Sequence, residues 1–259
     1  MNVEIITSLD NPMVKEVRSL NDKKFRKFHG KFIVDGEKLV REVVCGAAKV
    51  DKIFVDSNKL SNFDYILSKF DGKVVPVSTK VFNSLSENVS PQGILAEVFM
   101  NETLEFEPPK DAPILILDRI QDPGNVGTII RTAAATGFQT IVMIDSADPF
   151  SPKVIRSSSG GVFYLDIYRM TENEITSYCE KHGIELLVAD MAGENIFKTE
   201  IKNKNFALVI GNEGQGVSNY FKENGRIISL PMRPLMESLN AGVSASVLMY
   251  TLLGKDIND

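Results

Sequence analysis

With 259 residues the chain can form one large domain or two smaller ones with substantial cores. Its formal charge is −5, so no general basic field marks it as a polyanion binder, and any phosphate site must be local. Cys45 and Cys179 lie far apart, and His29 and His182 are the only histidines. That pattern argues against a disulfide framework and a metal centre, and both cysteines are expected to be reduced and buried. Neither a signal peptide nor a long apolar run is evident, which points to a cytoplasmic protein that makes no membrane contact.

In chain order, residues 1–100 read as a small α/β domain. Asn11-Pro12 can open a helix whose face carries Met13, Val17 and Leu20. Lys15 to Lys31 is locally basic, with Phe25, Phe28 and His29 set among the cations. Aromatics interleaved with cations suit a surface for phosphates and bases, and Lys23, Lys24, Arg26 and Lys27 are the candidate RNA contacts. The alternative for this stretch is a solvated helix with its apolar side packed. Lys31–Asp35 reads as a strand, Gly36–Val44 as a helix, and Ile53–Val55 and Ile94–Phe99 as further strands. Residues 101–111 are acidic, carry two prolines and show no periodicity, so they read as a linker.

Residues 112–259 alternate strand and helix. Ile114–Leu117, Ile141–Ile144, Leu186–Ala189, Phe206–Ile210 and Ile227–Leu230 are short apolar runs, as in strands covered on both faces. Helices are expected at about 126–136, 172–182 and 238–253. The alternation predicts an α/β domain with a mainly parallel sheet.

Three clusters fall at the ends of these strands. In Asp118 to Arg131, Asn125 is a candidate helix N-cap, and Arg131 can lean back toward the helix start to make an anion site. Phe206–Ile210 runs into Gly211-Asn-Glu-Gly-Gln-Gly216, where glycines admit positive φ and close approach of a ligand. The spacing is G-x-x-G-x-G, unlike the dinucleotide G-x-G-x-x-G, and no acidic residue is read as closing a following strand, so a nicotinamide oxidoreductase is disfavoured. Leu230 to Asn240 leads into a helix rich in Ala, Gly and Ser, whose small face can pack closely on a neighbour, within the chain or between subunits.

Together the clusters resemble the three signature motifs of the SpoU/TrmH family of RNA ribose 2′-O-methyltransferases. The first is Asn125-Val-Gly-Thr-Ile-Ile-Arg131, the second Val209 to Gly216, and the third Leu230-Pro-Met with Glu237-Ser-Leu-Asn240. Ser151 to Gly160 also resembles the family, as do Asn11-Pro12, Phe32 to Gly36 and Ser90-Pro-Gln-Gly93, which look like its small substrate-binding domain. The resemblance implies a SPOUT-type α/β domain with a deep trefoil knot, S-adenosylmethionine as cofactor, and a homodimer. It implies a cofactor pocket including Gly211, Leu230, Met232, Leu239 and Asn240. It also implies catalytic roles for Asn125, Arg131, Glu213, Ser238 and Asn240. The N-terminal extension favours ribosomal RNA as substrate, with transfer RNA or a catalytically silent RNA-binding protein as alternatives.

Overall fold

The computed structural model describes residues 4–100, 105–109, 112–201 and 205–254. Most of the 101–111 stretch read as a linker lies outside the described residues. The chain divides into two compact units, Met1–Asn101 with Phe150–Arg156, and Glu102–Pro149 with Ser157–Asp259.

In the first unit, α1 (Pro12–Ser19) is capped by Asn11, whose side chain accepts from the Met13 N–H, with Pro12 at its first position. Its buried face is Val14, Val17 and Leu20, one residue round from the expected Met13 face. Next come α2 (Lys23–His29), β1 (Lys31–Asp35), α3 (Glu37–Glu42), β2 (Val50–Asp56), α4 (Asp64–Leu67), β3 (Lys73–Val77), α5 (Thr79–Leu85) and β4 (Ile94–Phe99). The sheet order is β1-β4-β2-β3, with β4 antiparallel to both neighbours and β2 parallel to β3. Phe54, Val75, Val77 and Leu95 pack against α1 and α5 to form the core. Glu97 of β4 is fully buried between Lys31 and Lys52, with their Nζ atoms each 3.0 Å from its carboxylate. Asp51 completes the cluster at 2.7 and 2.6 Å from the same two amines.

After β4 the chain continues through β5 (Ile114–Asp118), α6 (Pro123–Thr136), β6 (Thr140–Ile144), α7 (Pro152–Ser157), β7 (Asp166–Arg169), α8 (Glu172–His182), β8 (Glu185–Asn195), β9 (Phe206–Gly211), α9 (Asn219–Asn224), β10 (Arg226–Ser229) and α10 (Ala241–Leu253), all in the second unit except α7, which belongs through Arg156 to the first. All six strands are parallel, in the order β10-β8-β9-β5-β6-β7. β9 therefore lies between β5 and β8, and its five leading residues are buried on both faces. This is why those strands read as unbroken apolar runs rather than alternating ones. Cys179 is buried, and burial pushes its thiol up to about 12. Cys45, expected to be buried, is exposed. Among the described residues no helix is long and apolar enough to cross a membrane, and no three His, Cys, Asp or Glu side chains form a metal cluster.

Candidate active site

The carboxyl ends of β5 and β9 lie side by side, with Asp118 opposite Gly211 in the register. Asp118 is fully buried, and its carboxylate accepts from Arg119 Nε at 2.9 Å, Arg119 Nη2 at 3.1 Å and the Ser218 N–H at 2.7 Å. One buried acid thus ties the exit of β5 to the exit of the glycine turn. Arg119 itself adopts φ +59°, and Asp145 at the end of β6 adopts φ +41°. Left-handed backbone at two non-glycine residues costs of order 1 kcal/mol each and is typical of strand ends that shape a site.

The turn after β9 is closed by paired backbone bonds between Asn212 and Gly216, at 3.1 and 2.9 Å. Asn212 Oδ1 accepts from the N–H groups of Gly214 and Gln215, and its Nδ2 donates to the Arg119 carbonyl at 2.8 Å. Gly211 is required because a Cβ there would stand 2.2 Å from the Val217 nitrogen and 2.4 Å from the Gly216 carbonyl carbon.

Helix α6 begins three residues earlier than the sequence predicts. Its N-cap is Asp122, which accepts from the Asn125 N–H at 2.9 Å, and Pro123 occupies the first helical position. Asn125 is therefore not the cap, and its side chain has other work. Its Nδ2 donates to Glu213 Oε1 at 2.9 Å, while its Oδ1 accepts from Asn240 Nδ2 at 2.8 Å. Asn240 Oδ1 in turn accepts from the Val243 N–H and caps α10, which begins at Ala241 rather than 238. Glu213 also accepts from the Gln121 and Asp122 N–H groups at 3.5 and 3.4 Å. Partial burial opposes its ionised form. The hydrogen bonds from Asn125 and from backbone N–H groups outweigh that, so the carboxyl sits below its ordinary range.

The small-residue face of α10 is used within the chain. Gly242 sits where a Cβ would be 3.2 Å from Thr128 of α6, and Ser246 shares a 2.9 Å hydrogen bond with Thr132. Ala241 and Ala245 are buried. The small face therefore gives no argument for a subunit contact. The outward side of α10 instead carries Val243, Val247 and Tyr250, which are exposed.

Between the glycine turn and residues 228–248 lies a cleft of about 330 Å³. Gly211, Leu230, Met232 and Leu239 line it, as do Glu213 and Ser238. Asn240 does not line it and faces Asn125 instead. Arg131 also lies outside the cleft lining. It is exposed on α6, and its side chain has no ion pair or hydrogen bond among the described residues. The sequence reading missed Asp190 and Met191 on the cleft wall. Asp190 follows Ala189 directly, so an acidic residue does close that apolar run. It is held by Lys222 at 2.7 Å and by the Ala192 N–H.

In the first unit, one candidate RNA contact is overturned. Arg26 is buried, and its guanidinium donates to the carbonyls of Leu20 and Asn21 at 2.7 Å each. It fastens α2 to the chain before it and is unavailable to phosphate. Lys31 is likewise committed to Asp51 and Glu97.

A small-ligand cleft at the carboxyl ends of parallel strands, beside the point where strand order reverses, defines an α/β protein of the cofactor-binding kind. Residues 112–250 match the SpoU rRNA Methylase family, and residues 11–96 match the MRM3-like substrate binding domain. The chain is 31% identical to the 23S rRNA (guanosine(2553)-2′-O)-methyltransferase RlmP of Bacillus subtilis, over 96% of this chain and 99% of that one. It is also 31% identical to an uncharacterised tRNA/rRNA methyltransferase of Synechocystis, covering 96% and 93% of the two chains. Among solved structures, the AdoMet-bound rRNA methyltransferase of Sinorhizobium meliloti superposes with a TM-score of 0.85 at 27% identity, covering 96% of this chain and 97% of that one. The chain belongs to the SpoU rRNA methylase family and is an RNA methyltransferase.

Proposed function

We propose that the protein transfers a methyl group from S-adenosylmethionine to a ribose 2′-hydroxyl of large-subunit ribosomal RNA. The observation that carries this is the hydrogen-bonded chain Glu213–Asn125–Asn240, which unites three remote sequence motifs beside one cleft. The similarity to RlmP along nearly the full length of both chains supports the ribosomal target.

The cleft suits the cofactor by its chemistry. Ile210, Met232, Leu239 and Leu248 offer apolar surface for an adenine ring. Among the described residues, the backbone of 231–239 makes one internal hydrogen bond, from the Met236 N–H to the Arg233 carbonyl, so its other polar groups are available to a ligand. Glu213 places a negative charge on the wall, which complements a cationic sulfonium. The bound cofactor supplies an electrophilic methyl with its own leaving group, so the protein's task is binding and in-line placement. An arginine side chain carries N–H donors and no acceptor, so Arg131 is suited to holding a ligand rather than taking a proton. Its exposed charge, unpaired among the described residues, suits an RNA phosphate beside the reacting ribose, and this is the role we assign it. Ser238 lines the cleft, where its hydroxyl can hydrogen-bond either ligand.

The same reading includes a homodimer, a cytoplasmic location, a linker over 101–111 and the knotted C-terminal domain. The exposed apolar groups of α10, with Leu235 and Met236, are the surface a second copy would cover. Light scattering that gives the 28.7 kDa monomer at micromolar concentration would remove the dimer. An experimental chain trace in which no segment passes through a loop would remove the knot. The decisive experiment maps ribose methylation in total RNA from cells with and without the protein. One 23S methyl group lost on deletion and restored by the purified protein is expected. A loss confined to transfer RNA would overturn the substrate, and an unchanged map the activity.

A further inference from the structure

We infer that α2 is a stacking platform for an unpaired stretch of RNA, with Phe28 taking a base and Lys23, Lys24 and Lys27 taking phosphates. This rests on the RNA substrate proposed above and adds which part of the first unit meets it and in what form.

The helix is built to display one face. Asp22 caps it through the Lys24 N–H at 2.7 Å, and Gly30 ends it in the left-handed conformation. Arg26 is its one buried residue and anchors it to Leu20 and Asn21. At about 100° per residue, Lys24 and Phe28 fall on the side away from Arg26, with Lys27 on the adjoining flank and the exposed Lys23 beyond it, about 60° from Arg26. Phe28 is 79% exposed, and Phe25 beside it is 40% exposed. His29 meets the Phe28 ring edge-to-face at 4.9 Å, and Lys24 Nζ lies 5.9 Å from the Phe25 ring centre. Among the described residues, none of Lys23, Lys24 and Lys27 has an acidic partner, in contrast to Lys15 with Asp10 and Lys31 with Glu97. In a chain of net charge −5, three lysines without an acidic partner on one short helix that also exposes an aromatic ring are a local exception. A polyanion with exposed π-faces complements such a surface, and single-stranded RNA is one. A duplex keeps its bases stacked inside and can offer the ring nothing.

The test measures binding of a short fluorescent oligouridylate, the same strand with abasic riboses, and a duplex of equal length, by anisotropy over a salt series. Phe28→Ala is expected to weaken oligouridylate binding about tenfold or more while leaving the abasic strand unaffected. Phe28→Tyr should restore it. Replacing Lys23, Lys24 and Lys27 with Gln should make the salt slope shallower by up to about 2, at about 0.7 per lost contact. S-adenosylmethionine affinity, measured by calorimetry, should not move in any variant. Unchanged binding in Phe28→Ala, an equal loss on the abasic strand, an unchanged salt slope or a preference for duplex each overturns the platform. So does a Phe28→Ala effect seen only in self-association or in retention on anionic vesicles. If the variants bind RNA normally while the protein still binds S-adenosylmethionine and methylates RNA, only this inference falls. If the unsubstituted protein does neither, the methyltransferase reading falls first.

Discussion

Asn125 donates to Glu213 at 2.9 Å across 88 positions of sequence, and the same amide accepts from Asn240. An asparagine can do both at once because its side chain holds a donor and an acceptor on one planar group. Aspartate at 125 would repel Glu213, and leucine would satisfy neither neighbour. Asn125→Leu is expected to lower methyl transfer by at least tenfold and to weaken cofactor binding, read by calorimetry. Wild-type affinity and turnover in that variant would separate the chain from the site.

Glu213 also predicts a pH dependence. Its carboxyl lies below the ordinary range when folded, so its stabilisation is complete above the unfolded value and lost as pH falls through the folded one. The group is exposed enough that solvent screening limits the effect to no more than about 1 kcal/mol. Thermal unfolding of the protein and of Glu213→Gln should differ at neutral pH and converge on acidification below the carboxylate range. A constant gap would contradict this.

Gly211 and Gly214 stand in the same turn but should respond differently. A methyl at Gly211 meets backbone at 2.2 Å, which cannot yield without opening the turn, whereas at Gly214 its nearest neighbour is Asn212 Oδ1 at 3.7 Å. Gly211→Ala is expected to destabilise by about 3 kcal/mol or more and to abolish cofactor binding. Gly214→Ala should unfold within about 1 kcal/mol of the parent. Urea denaturation of both variants checks the contrast.

Arg131 and Arg26 make a second pair of opposites. Arg131 is exposed and unpartnered among the described residues, so Arg131→Ala should change stability by no more than about 0.5 kcal/mol while abolishing methyl transfer. Arg26→Ala strips the donors from two carbonyls and should cost about 2 kcal/mol, with no change in the salt slope of RNA binding. Normal turnover in Arg131→Ala, or a shallower slope in a folded Arg26→Ala, would reverse these assignments.

Glu97 governs the alkaline limit of the first unit. Burial opposes the charge on Lys31, but hydrogen bonds and charges from Asp51 and Glu97 outweigh it and raise its pKa. The stabilisation is therefore full below lysine's ordinary pKa and lost as pH rises through the raised value. Glu97→Ala should destabilise by about 3 kcal/mol or more, because the two largely buried amines then share Asp51, with Glu16 at 3.7 Å from Lys31 as the further acid. It should also flatten the fall in stability above pH 10, measured by denaturation across pH.

The central strands were legible because burial on both faces leaves an apolar run with one interpretation, as in Phe206–Ile210. Of the four edge strands, β1 and β10 were legible and β3 and β7 were not. β3 contains Pro76, which reads as a breaker but is tolerated at the sheet edge, where its carbonyl accepts from the Ile6 N–H. β7, with polar residues at both ends, is an edge strand of the six-stranded sheet and gives only two buried positions. At the site, glycine spacing and residue types were visible, but partners were not. The start of α6 was misplaced because Asp122-Pro123 and Asn125 are both good opening signals, and only the fold shows Asn125 engaged elsewhere. The basic stretch looked uniform because sequence records charge and not pairing. Arg26 and Lys31 face inward, and nothing in their spacing announces it. Asp190 was overlooked because the apolar run was read only as far as Ala189.

The insertion of β9 between β5 and β8 has a consequence during synthesis. Until Gly211 has emerged, β5 has β6 on one side but an open edge on the other, and β8 lacks both of its native neighbours, β9 and β10. At roughly 5–20 residues per second, the interval between Asp118 and Gly211 lasts from about 5 to 20 s. The first unit's four strands are all made by Phe99, before that interval opens. Nascent chains stalled between these two points should therefore be the ones that recruit holdase chaperones, while those stalled past α10 should not.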